Sequence, residues 1–286
     1  MKQCVQREMI ANIKTAATLE KKGLQKAGEL KFVRKVSSLN FKQYGVSHKI
    51  LSSKRIRIAG VKGSLAVNGL KQFVGIPYLE YANAKLLNTS SGYYVQFTTY
   101  IDKDKTEHNE TNGETIGIDF GCQTTLTLSS GEKINVQVRE DERIKRLSRR
   151  LNRRQIKGSG NWYRTLGQIR KLYQKQTNRK NDMANKIVAK LNEYERIVIQ
   201  DEQLHSWHKG GHGKAVQHSV MGRVKAKLKE LSKTVVLDKS LPTTKLCSSC
   251  GKFHDEMKLW DRTFSCSCGT EMDRDVHAAM NMVWFL

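Results

Sequence analysis

The chain alternates between stretches whose apolar residues recur at every second position and stretches whose apolar residues recur every three or four positions. Residues 1–30 have a broken helical pattern. The runs KRIRIAG, SLAVNG and YYVQFTTYI follow within residues 54–101 and have the alternation of short, half-buried strands. These runs predict a small antiparallel barrel or sandwich. The polar, turn-rich residues 103–114 predict a linker.

A second set of strands precedes a long helical region. The runs ETIGIDFG, TTLTLSSG and KINVQV predict three strands between residues 114 and 138. Residues 140–192 then change to a helical period, with Ile144, Leu147 and Leu151 on one face. The sequence KGSGN at 157–161 interrupts this period, which predicts a helical hairpin.

The remaining pattern is that of strands alternating with helices. ERIVIQ at 195–200 and TVVL at 234–237 predict two further strands, and residues 215–232 predict one amphipathic basic helix between them. The intervening HSWHKGGHGK at 205–214 predicts a mobile loop, because its glycine spacing is unsuited to a helix. The histidines at 205, 208, 212 and 218 are therefore interpreted as loop residues rather than as a metal site.

The charge of the chain indicates a polyanionic partner. Lys and Arg number 51 against 27 Asp and Glu, which gives a net charge of +24. Residues 139–190 alone carry 17 basic and 4 acidic residues, more than a solvated helix face requires. This segment is predicted to contact the phosphates of DNA or RNA. The candidate contacts are Arg143, Arg146, Arg149, Arg150, Arg153, Arg154, Arg164, Arg170 and Lys171.

The apolar stretches and the N-terminal sequence predict where in the cell the protein is found. No apolar run reaches the roughly 18 residues of a membrane-spanning helix, and the N-terminus lacks the pattern of a secretory signal. We therefore expect a cytoplasmic, nucleoid-associated protein of a reducing compartment, without a membrane partner.

Three acids occur where strands end or a helix begins. Asp119 lies in the apolar strand IGIDFG, Glu202 follows the strand IVIQ, and Asp275 opens the helical segment DVHAAMNMV. Carboxylates brought together repel one another unless cations lie between them, and two Mg²⁺ ions are the usual solution in phosphodiester hydrolysis. Each acid taken singly has a simpler interpretation: a strand-end Asp, a loop Glu and a helix N-cap Asp.

Four cysteines form two close pairs. Cys247 and Cys250 precede Cys266 and Cys268 by a short segment, and four thiolates so arranged are suited to a tetrahedral structural Zn²⁺. Free cysteines or disulfides are the alternatives, and a reducing compartment disfavours disulfides. The second pair is CxC rather than CxxC, which requires an unusual turn. His254 is a reserve ligand.

These motifs together resemble the TnpB (OrfB) proteins of insertion sequences, relatives of the type V CRISPR effectors. The resemblance rests on GIDFG, on QDE after a strand, and on CxxC, CxCG and DRDVHAA in that order, and it covers about residues 30–286. It implies an α/β fold with an RNase H-like (RuvC) nuclease domain at 113–286. A basic helical insertion at 139–190 and a zinc ribbon at 247–268 interrupt this domain. A β-rich, barrel-like nucleic-acid-binding region at 1–112 precedes it.

The resemblance also implies roles for the acids. The first and last catalytic positions of the family fall on Asp119 and Asp275, and Asp273 is structural. Many relatives have Glu at the strand end where this chain has Gln200. Because side chains of a strand alternate, Glu202 shares the side of Gln200 and is the predicted middle acid, with Asp201 facing away. His277 replaces a commoner Asn and is not interpreted as a metal ligand.

The function implied is that of an RNA-guided DNA endonuclease of a transposable element. A guide RNA from the end of the element would pair with target DNA, Mg²⁺ would serve catalysis and Zn²⁺ would be structural. Relatives usually have several tens more residues at the N-terminus, so a truncated copy is expected. The alternatives are a nuclease-inactive RNA-guided regulator and a zinc-ribbon DNA-binding protein or transposase accessory.

Overall fold

A computed structural model describes residues 2–24, 26, 28, 36–105, 110–202, 204–207, 211, 213–258 and 260–286. The chain divides into two compact units, Met1–His108 and Asn109–Leu286, and each is described by itself. Among the described residues, no helix is both long enough and apolar enough to cross a membrane.

The first unit combines one long helix with two small antiparallel sheets. Helix α1 occupies Lys2–Lys21, as one helix rather than the broken segments expected from the sequence. One sheet has the strand order β1-β5-β6 and the other β2-β3-β4. The strands are β1 (Ser38–Phe41), β2 (His48–Ser52), β3 (Arg55–Ile58), β4 (Leu65–Ala66), β5 (Glu80–Thr89) and β6 (Gly92–Tyr100). The two sheets share a core of buried residues, which are Phe41, Ile56, Ile58, Leu70 and Ala84.

The second unit is built on a five-stranded mixed sheet. Its strand order is β11-β10-β7-β8-β9, in which β10 pairs in parallel with both β11 and β7. The predicted strands are present, although the run KINVQV contributes only a two-residue strand. The bounds are β7 (Thr115–Phe120), β8 (Leu126–Leu128), β9 (Lys133–Ile134), β10 (Arg196–Gln200) and β11 (Thr234–Leu237).

Helices surround this sheet, and a two-stranded hairpin precedes the last of them. The predicted helical hairpin is present, with its break at the predicted place. The elements are α2 (Glu142–Arg154), α3 (Gly160–Leu191), α4 (Leu204–Trp207), α5 (Gly213–His218), α6 (Met221–Leu228), β12 (Thr263–Ser265), β13 (Glu271–Asp273) and α7 (Arg274–Trp284). Alternate residues of β7 and β10 pack against residues of α3 and α6 in one apolar core.

The segment between β10 and β11 departs from the prediction. Leu204–Trp207 is helical instead of part of a loop, and the single helix predicted for 215–232 is two helices. The break lies at Ser219, which forms a β-bridge with Gln137 and whose side chain accepts a hydrogen bond from the backbone N–H of Met221. His208 and His212, interpreted above as loop residues, lie outside the described residues.

Candidate functional site

Asp119 lies on the side of β7 that faces helix α7. Ile116, Ile118 and Phe120 point into the core formed with α3 and α6. Side chains alternate along a strand, so Gly117 and Asp119 point to the opposite side. The sequence therefore places one acid near the end of a strand whose other face is fully apolar, as IGIDFG predicts.

Helix α7 crosses β7 at Gly117, and this crossing brings Asp275 towards Asp119. A Cβ atom at Gly117 would lie 1.9 Å from the backbone oxygen of Ala279, so the helix approaches the bare strand backbone closely. Asp275 lies one helical turn before Ala279, about 6 Å along the helix, and Asp119 lies about 6.6 Å beyond Gly117 along the strand. The matching displacements bring both carboxylates to the same end of β7.

Asp273 caps this helix, as its interpretation as a structural residue anticipated. Its Oδ1 accepts hydrogen bonds from the backbone N–H groups of Asp275 (3.1 Å) and Val276 (3.2 Å). Its Oδ2 accepts a hydrogen bond from Lys133 Nζ (2.6 Å). Both carboxylate oxygens of Asp273 therefore help to fix the start of α7. Asp275, two residues later, is the acid of α7 that acts on Asp119.

The two acids after β10 have different surroundings. Glu202 is mostly buried and its Oε2 pairs with Lys225 Nζ at 3.3 Å, whereas Asp201 is exposed and pairs with Lys229. The strand bonding continues one residue beyond β10, because Asp201 N donates to Leu237 O (2.9 Å). The side-chain Nε2 of Gln200 donates hydrogen bonds to Asp238 O (3.0 Å) and Leu241 O (2.9 Å).

The pKa of Asp119 is affected by both of the other acids. Burial raises the pKa of Asp119 well above its ordinary value, and the neighbouring carboxylates of Glu202 and Asp275 raise it further. Arg274 acts in the opposite direction but does not offset these effects. Burial also raises the pKa of Glu202, with the cation of Lys225 opposing the change. Glu202 and Asp275 therefore lie within electrostatic range of Asp119, whereas the described residues whose ligand atoms are close enough to share one metal ion are the four cysteines.

These three carboxylates are suited to Mg²⁺. Oxygen ligands are those that Mg²⁺ prefers, and the raised pKa values of Asp119 and Glu202 come first from burial, whose effect on a carboxylate a bound cation could offset. Lys225 and Arg274 supply part of the compensating charge. Neither residue was identified from the sequence, because a lysine in a basic amphipathic helix and an arginine in DRD give no signal of burial.

The four cysteines form a compact thiol cluster. Their Sγ atoms lie within 4.8 Å of one another, with 3.7 Å between Cys247 and Cys268 and 3.6 Å between Cys250 and Cys266. Four thiolates about 2.3 Å from one Zn²⁺ would be about 3.8 Å apart at the corners of a tetrahedron. The cluster therefore fits zinc. Gly269, at φ 91°, makes the tight turn that the CxC spacing requires.

The two histidines near this cluster have separate roles. His254 Nε2 lies 3.2 Å from Cys266 Sγ, beside the four thiols rather than in place of one. His277 is fully buried, stacks on Phe264 at 3.6 Å and accepts a hydrogen bond from Ser248 N (3.2 Å). His277 therefore links helix α7 to the first cysteine pair instead of facing the acids.

Comparisons with known proteins match two successive parts of the chain. A family model described as "Probable transposase" (OrfB of IS605) matches residues 96–204, and one described as "Cas12f1-like, TNB domain" matches residues 218–282. The first contains Asp119 and Glu202, and the second contains the cysteine cluster and Asp275. Over these two stretches the chain is similar to the TnpB-like (OrfB) proteins.

Two relatives extend the comparison. A "Putative RNA-guided DNA endonuclease" of Streptomyces pristinaespiralis is 30% identical over 178 residues, which cover 59% of this chain and 44% of the relative. A Cas12f1 structure, solved by cryo-EM as a complex with sgRNA and target DNA, has a TM-score of 0.46 and 15% identity. That match covers 71% of this chain and 45% of the other. The chain thus spans less than half the length of each.

The chain has an arginine-lined groove beside helix α2. Ile144, Leu147 and Leu151 bury one face of α2 against α3, and the opposite face carries arginines at the spacing of a single helical stripe. The groove has a volume of about 1040 Å³. Within the described part of the chain, none of its arginines forms a salt bridge. They are Arg146, Arg149, Arg150, Arg153 and Arg154.

The remaining sequence-predicted phosphate contacts lie on the same helical hairpin but outside this groove. All are exposed, which leaves their charges accessible to a ligand. They are Arg143 on α2 and Arg164, Arg170 and Lys171 on α3.

Proposed function

We propose that the protein is an RNA-guided DNA endonuclease of a transposable element, with Asp119, Glu202 and Asp275 as its metal-binding catalytic acids. The observation that carries this proposal is that Glu202 and Asp275 both act electrostatically on the buried Asp119 near the end of β7, in a chain similar to the OrfB family model. The relative named as an RNA-guided DNA endonuclease supports DNA and guide RNA as the partners.

The finer architecture belongs to the same proposal. Residues 113–286 would form a RuvC-like domain of the RNase H type, with the basic hairpin at 139–190 as an insertion and a zinc ribbon at 247–268. Residues 1–112 would form a barrel-like nucleic-acid-binding region. A cytoplasmic protein associated with the nucleoid would follow from these partners.

The residues of the site would act in distinct ways. Two Mg²⁺ ions held by the three acids would polarise the phosphate and lower the pKa of the attacking water. Burial and the two acidic neighbours raise the pKa of Asp119, and a bound cation would favour its ionised form. Asp273 orients Asp275 by fixing the first turn of α7, and the arginine groove holds phosphates by charge, which positions nucleic acid without reading its sequence.

The test begins with the RNA that copurifies with the protein. Its sequence supplies a guide, and plasmids carrying matching targets with randomised flanks then serve as substrates in Mg²⁺. We expect Asp119→Ala and Glu202→Gln to lower the cleavage rate by about 1000-fold or more, since each removes a group acting in the transition state. Binding of nucleic acid should stay within a few-fold of that of the wild type, because affinity comes from the basic surface.

Asp201→Asn is the matched control for Glu202→Gln. It makes the same chemical change one residue away, in an exposed ion pair that contributes about 0–1 kcal/mol. Its cleavage rate should be close to that of the wild type. Cleavage by Asp119→Ala at the wild-type rate would refute the assignment. Loss of activity in Asp201→Asn with full activity in Glu202→Gln would transfer the middle role to Asp201.

A further inference from the structure

Helix α6 presents two lysines to the two adjacent acids that follow β10. Lys225 Nζ donates to the backbone oxygen of Glu202 (2.9 Å) and approaches its Oε2 at 3.3 Å, and Lys229 Nζ bonds to the carboxylate of Asp201. The two lysines are four residues apart and so lie on the same face of the helix. Each acid therefore has its own lysine, and the order of the two lysines along the chain is the reverse of that of the acids.

The two pairs differ strongly in burial. The side chain of Lys225 is 6% exposed and that of Glu202 is 18% exposed, against 40% for Lys229 and 56% for Asp201. A buried ammonium group is very unfavourable without a partner, whereas an exposed pair contributes little. The inner pair consequently constrains the structure, and the outer pair is nearly neutral.

The inner pair lies where sheet bonding ends. Beyond the bond from Asp201 N to Leu237 O, Glu202 O accepts a turn-type bond from Leu204 N (3.2 Å) and the bond from Lys225. The Lys225 ammonium also lies 5.5 Å from the centre of the Phe120 ring. Phe120 follows Asp119 in β7, and its side chain lies in the core formed with α6. Lys225 thus connects the end of β10 to the end of β7.

We propose that Lys225 is a positioning residue that holds Glu202 at the end of β10, beside the end of β7 that carries Asp119. It thereby determines which of two adjacent acids completes the metal-binding group. Its bond to the backbone oxygen fixes the turn after Asp201, and its bond to the carboxylate fixes the direction of the Glu202 side chain. This inference rests on the proposed function, because it assigns Lys225 to the same metal site.

The test compares Lys225→Met, Lys225→Arg and Lys229→Met in zinc-loaded protein. Lys225→Met keeps the length of the apolar stem but removes the positive charge and the hydrogen-bond donors. Lys225→Arg keeps the charge and the donors. Lys229→Met is the matched control on the exposed pair. The measurements are Mn²⁺ binding without nucleic acid, by electron paramagnetic resonance, the Mg²⁺ concentration for half-maximal cleavage, and the melting temperature.

We expect Lys225→Met to weaken Mn²⁺ binding and raise the half-maximal Mg²⁺ concentration by about 10-fold or more, as is typical when a residue that orients a metal ligand is lost. Lys225→Arg should recover most of this loss, and Lys229→Met should change either value less than about two-fold. Combining Lys225→Met with Glu202→Gln should weaken Mn²⁺ binding no further than Glu202→Gln alone, because both act through one ligand.

Several results would overturn the inference. One is a folded Lys225→Met variant with wild-type Mn²⁺ affinity and metal dependence, and another is an equal loss in Lys229→Met. If Lys225→Met melts far below the wild type, Lys225→Gln replaces it with the same expectation, since it keeps a polar donor without a buried charge. A wild type that binds Mn²⁺ no better than Asp119→Ala refutes the metal site itself, and hence the proposed function. An intact difference between those two with an unaffected Lys225→Met refutes only the role of Lys225.

Discussion

Asp119 combines two unfavourable conditions for a carboxylate, withdrawal from water and two acidic neighbours. Its pKa in the folded protein is therefore above the value of 3.8 for an unperturbed Asp. A raised folded pKa contributes stability at low pH that is lost as the pH rises through that folded value. At neutral pH without Mg²⁺, ionised Asp119 should thus lower the free energy of unfolding.

Asp119→Asn should accordingly stabilise the metal-free site. In zinc-loaded protein without Mg²⁺, we expect the free energy of unfolding at pH 8 to rise by about 1 kcal/mol, and the gain to shrink as the pH is lowered. Added Mg²⁺ should reverse the order, since it binds the folded wild type and not the variant. Urea denaturation between pH 5.5 and 8.5 measures this.

Asp201→Asn is the control for this measurement. The pair with Lys229 lowers the pKa of Asp201, so removal of its charge should give no gain at pH 8. An Asp119→Asn variant less stable than the wild type at pH 8 without Mg²⁺ would contradict the view that the three acids repel one another.

At the scale of elements, the contact between α7 and β7 determines whether Asp275 reaches Asp119. Gly117→Ala would place a methyl group against the backbone of Ala279 and 3.1 Å from Val283 Cγ2. A backbone oxygen cannot rotate away, so the whole helix must move. We expect a loss of about 3 kcal/mol in the free energy of unfolding and a loss of Mn²⁺ binding at the acids.

Gly167→Ala is the matched control in a helix. No atom lies within 4 Å of the position of its added Cβ, and alanine favours a helix over glycine by about 0.8–1 kcal/mol. It should therefore stabilise the protein slightly. Equal stability of Gly117→Ala and the wild type, measured by urea denaturation, would show that α7 does not pack on β7 this closely.

The cysteine cluster is connected to the same helix. Asn281 Nδ2 donates to Thr243 O (2.7 Å) and Leu246 O (2.6 Å), and His277 accepts from Ser248 N. Removal of zinc should therefore loosen α7 as well as residues 247–268. We expect elemental analysis to find one zinc per chain, and amide hydrogen exchange in both segments to accelerate on chelation while β7 and β10 stay protected.

Two results would contradict this role. Carefully purified protein without zinc would exclude a structural zinc site, and unchanged exchange in α7 after zinc loss would exclude the link to the helix. Cys122→Ser is the control, because Cys122 lies outside the four-thiol cluster and should leave the zinc content unchanged.

At the scale of the whole molecule, the net charge of +24 matters chiefly where it is unpaired. Replacing Arg149, Arg150 and Arg153 with Gln removes three groove charges that have no salt-bridge partner in the described part of the chain. We expect weaker binding of a fluorescent DNA duplex. The slope of log affinity against log salt concentration should become shallower by about 0.9 for each phosphate that the variant no longer neutralises. Fluorescence anisotropy at several salt concentrations measures both.

The same hairpin offers a control of equal charge. Lys145, Lys186 and Lys190 already pair with Glu142, Asp182 and Glu132. Replacing these three with Gln changes the net charge by the same amount, but it should alter the salt dependence much less. Equal effects of the two triple variants would mean that total charge, not the groove, governs binding.

The sequence by itself determined the strands of the second unit, the helical hairpin and most of the residues of interest. The apolar runs IGIDFG and ERIVIQ identify β7 and β10, because a short run that is apolar at most positions is typical of a buried strand. The three-and-four spacing of Ile144, Leu147 and Leu151 identifies the buried face of α2. The spacing of the cysteines predicts one cluster because close pairs in sequence can share one centre. Such local patterns need no knowledge of distant contacts.

Only the tertiary structure decided which groups meet. Lys225 and Lys229 have the same local pattern, yet one is buried against Glu202 and the other is exposed, because packing of α6 against the sheet is a long-range property. The approach of Ala279 to Gly117 and the position of His277 against the cysteine pair depend in the same way on how α7 docks. Periodicity gives the direction of a side chain, but the partner it meets is set by segments far away in the sequence.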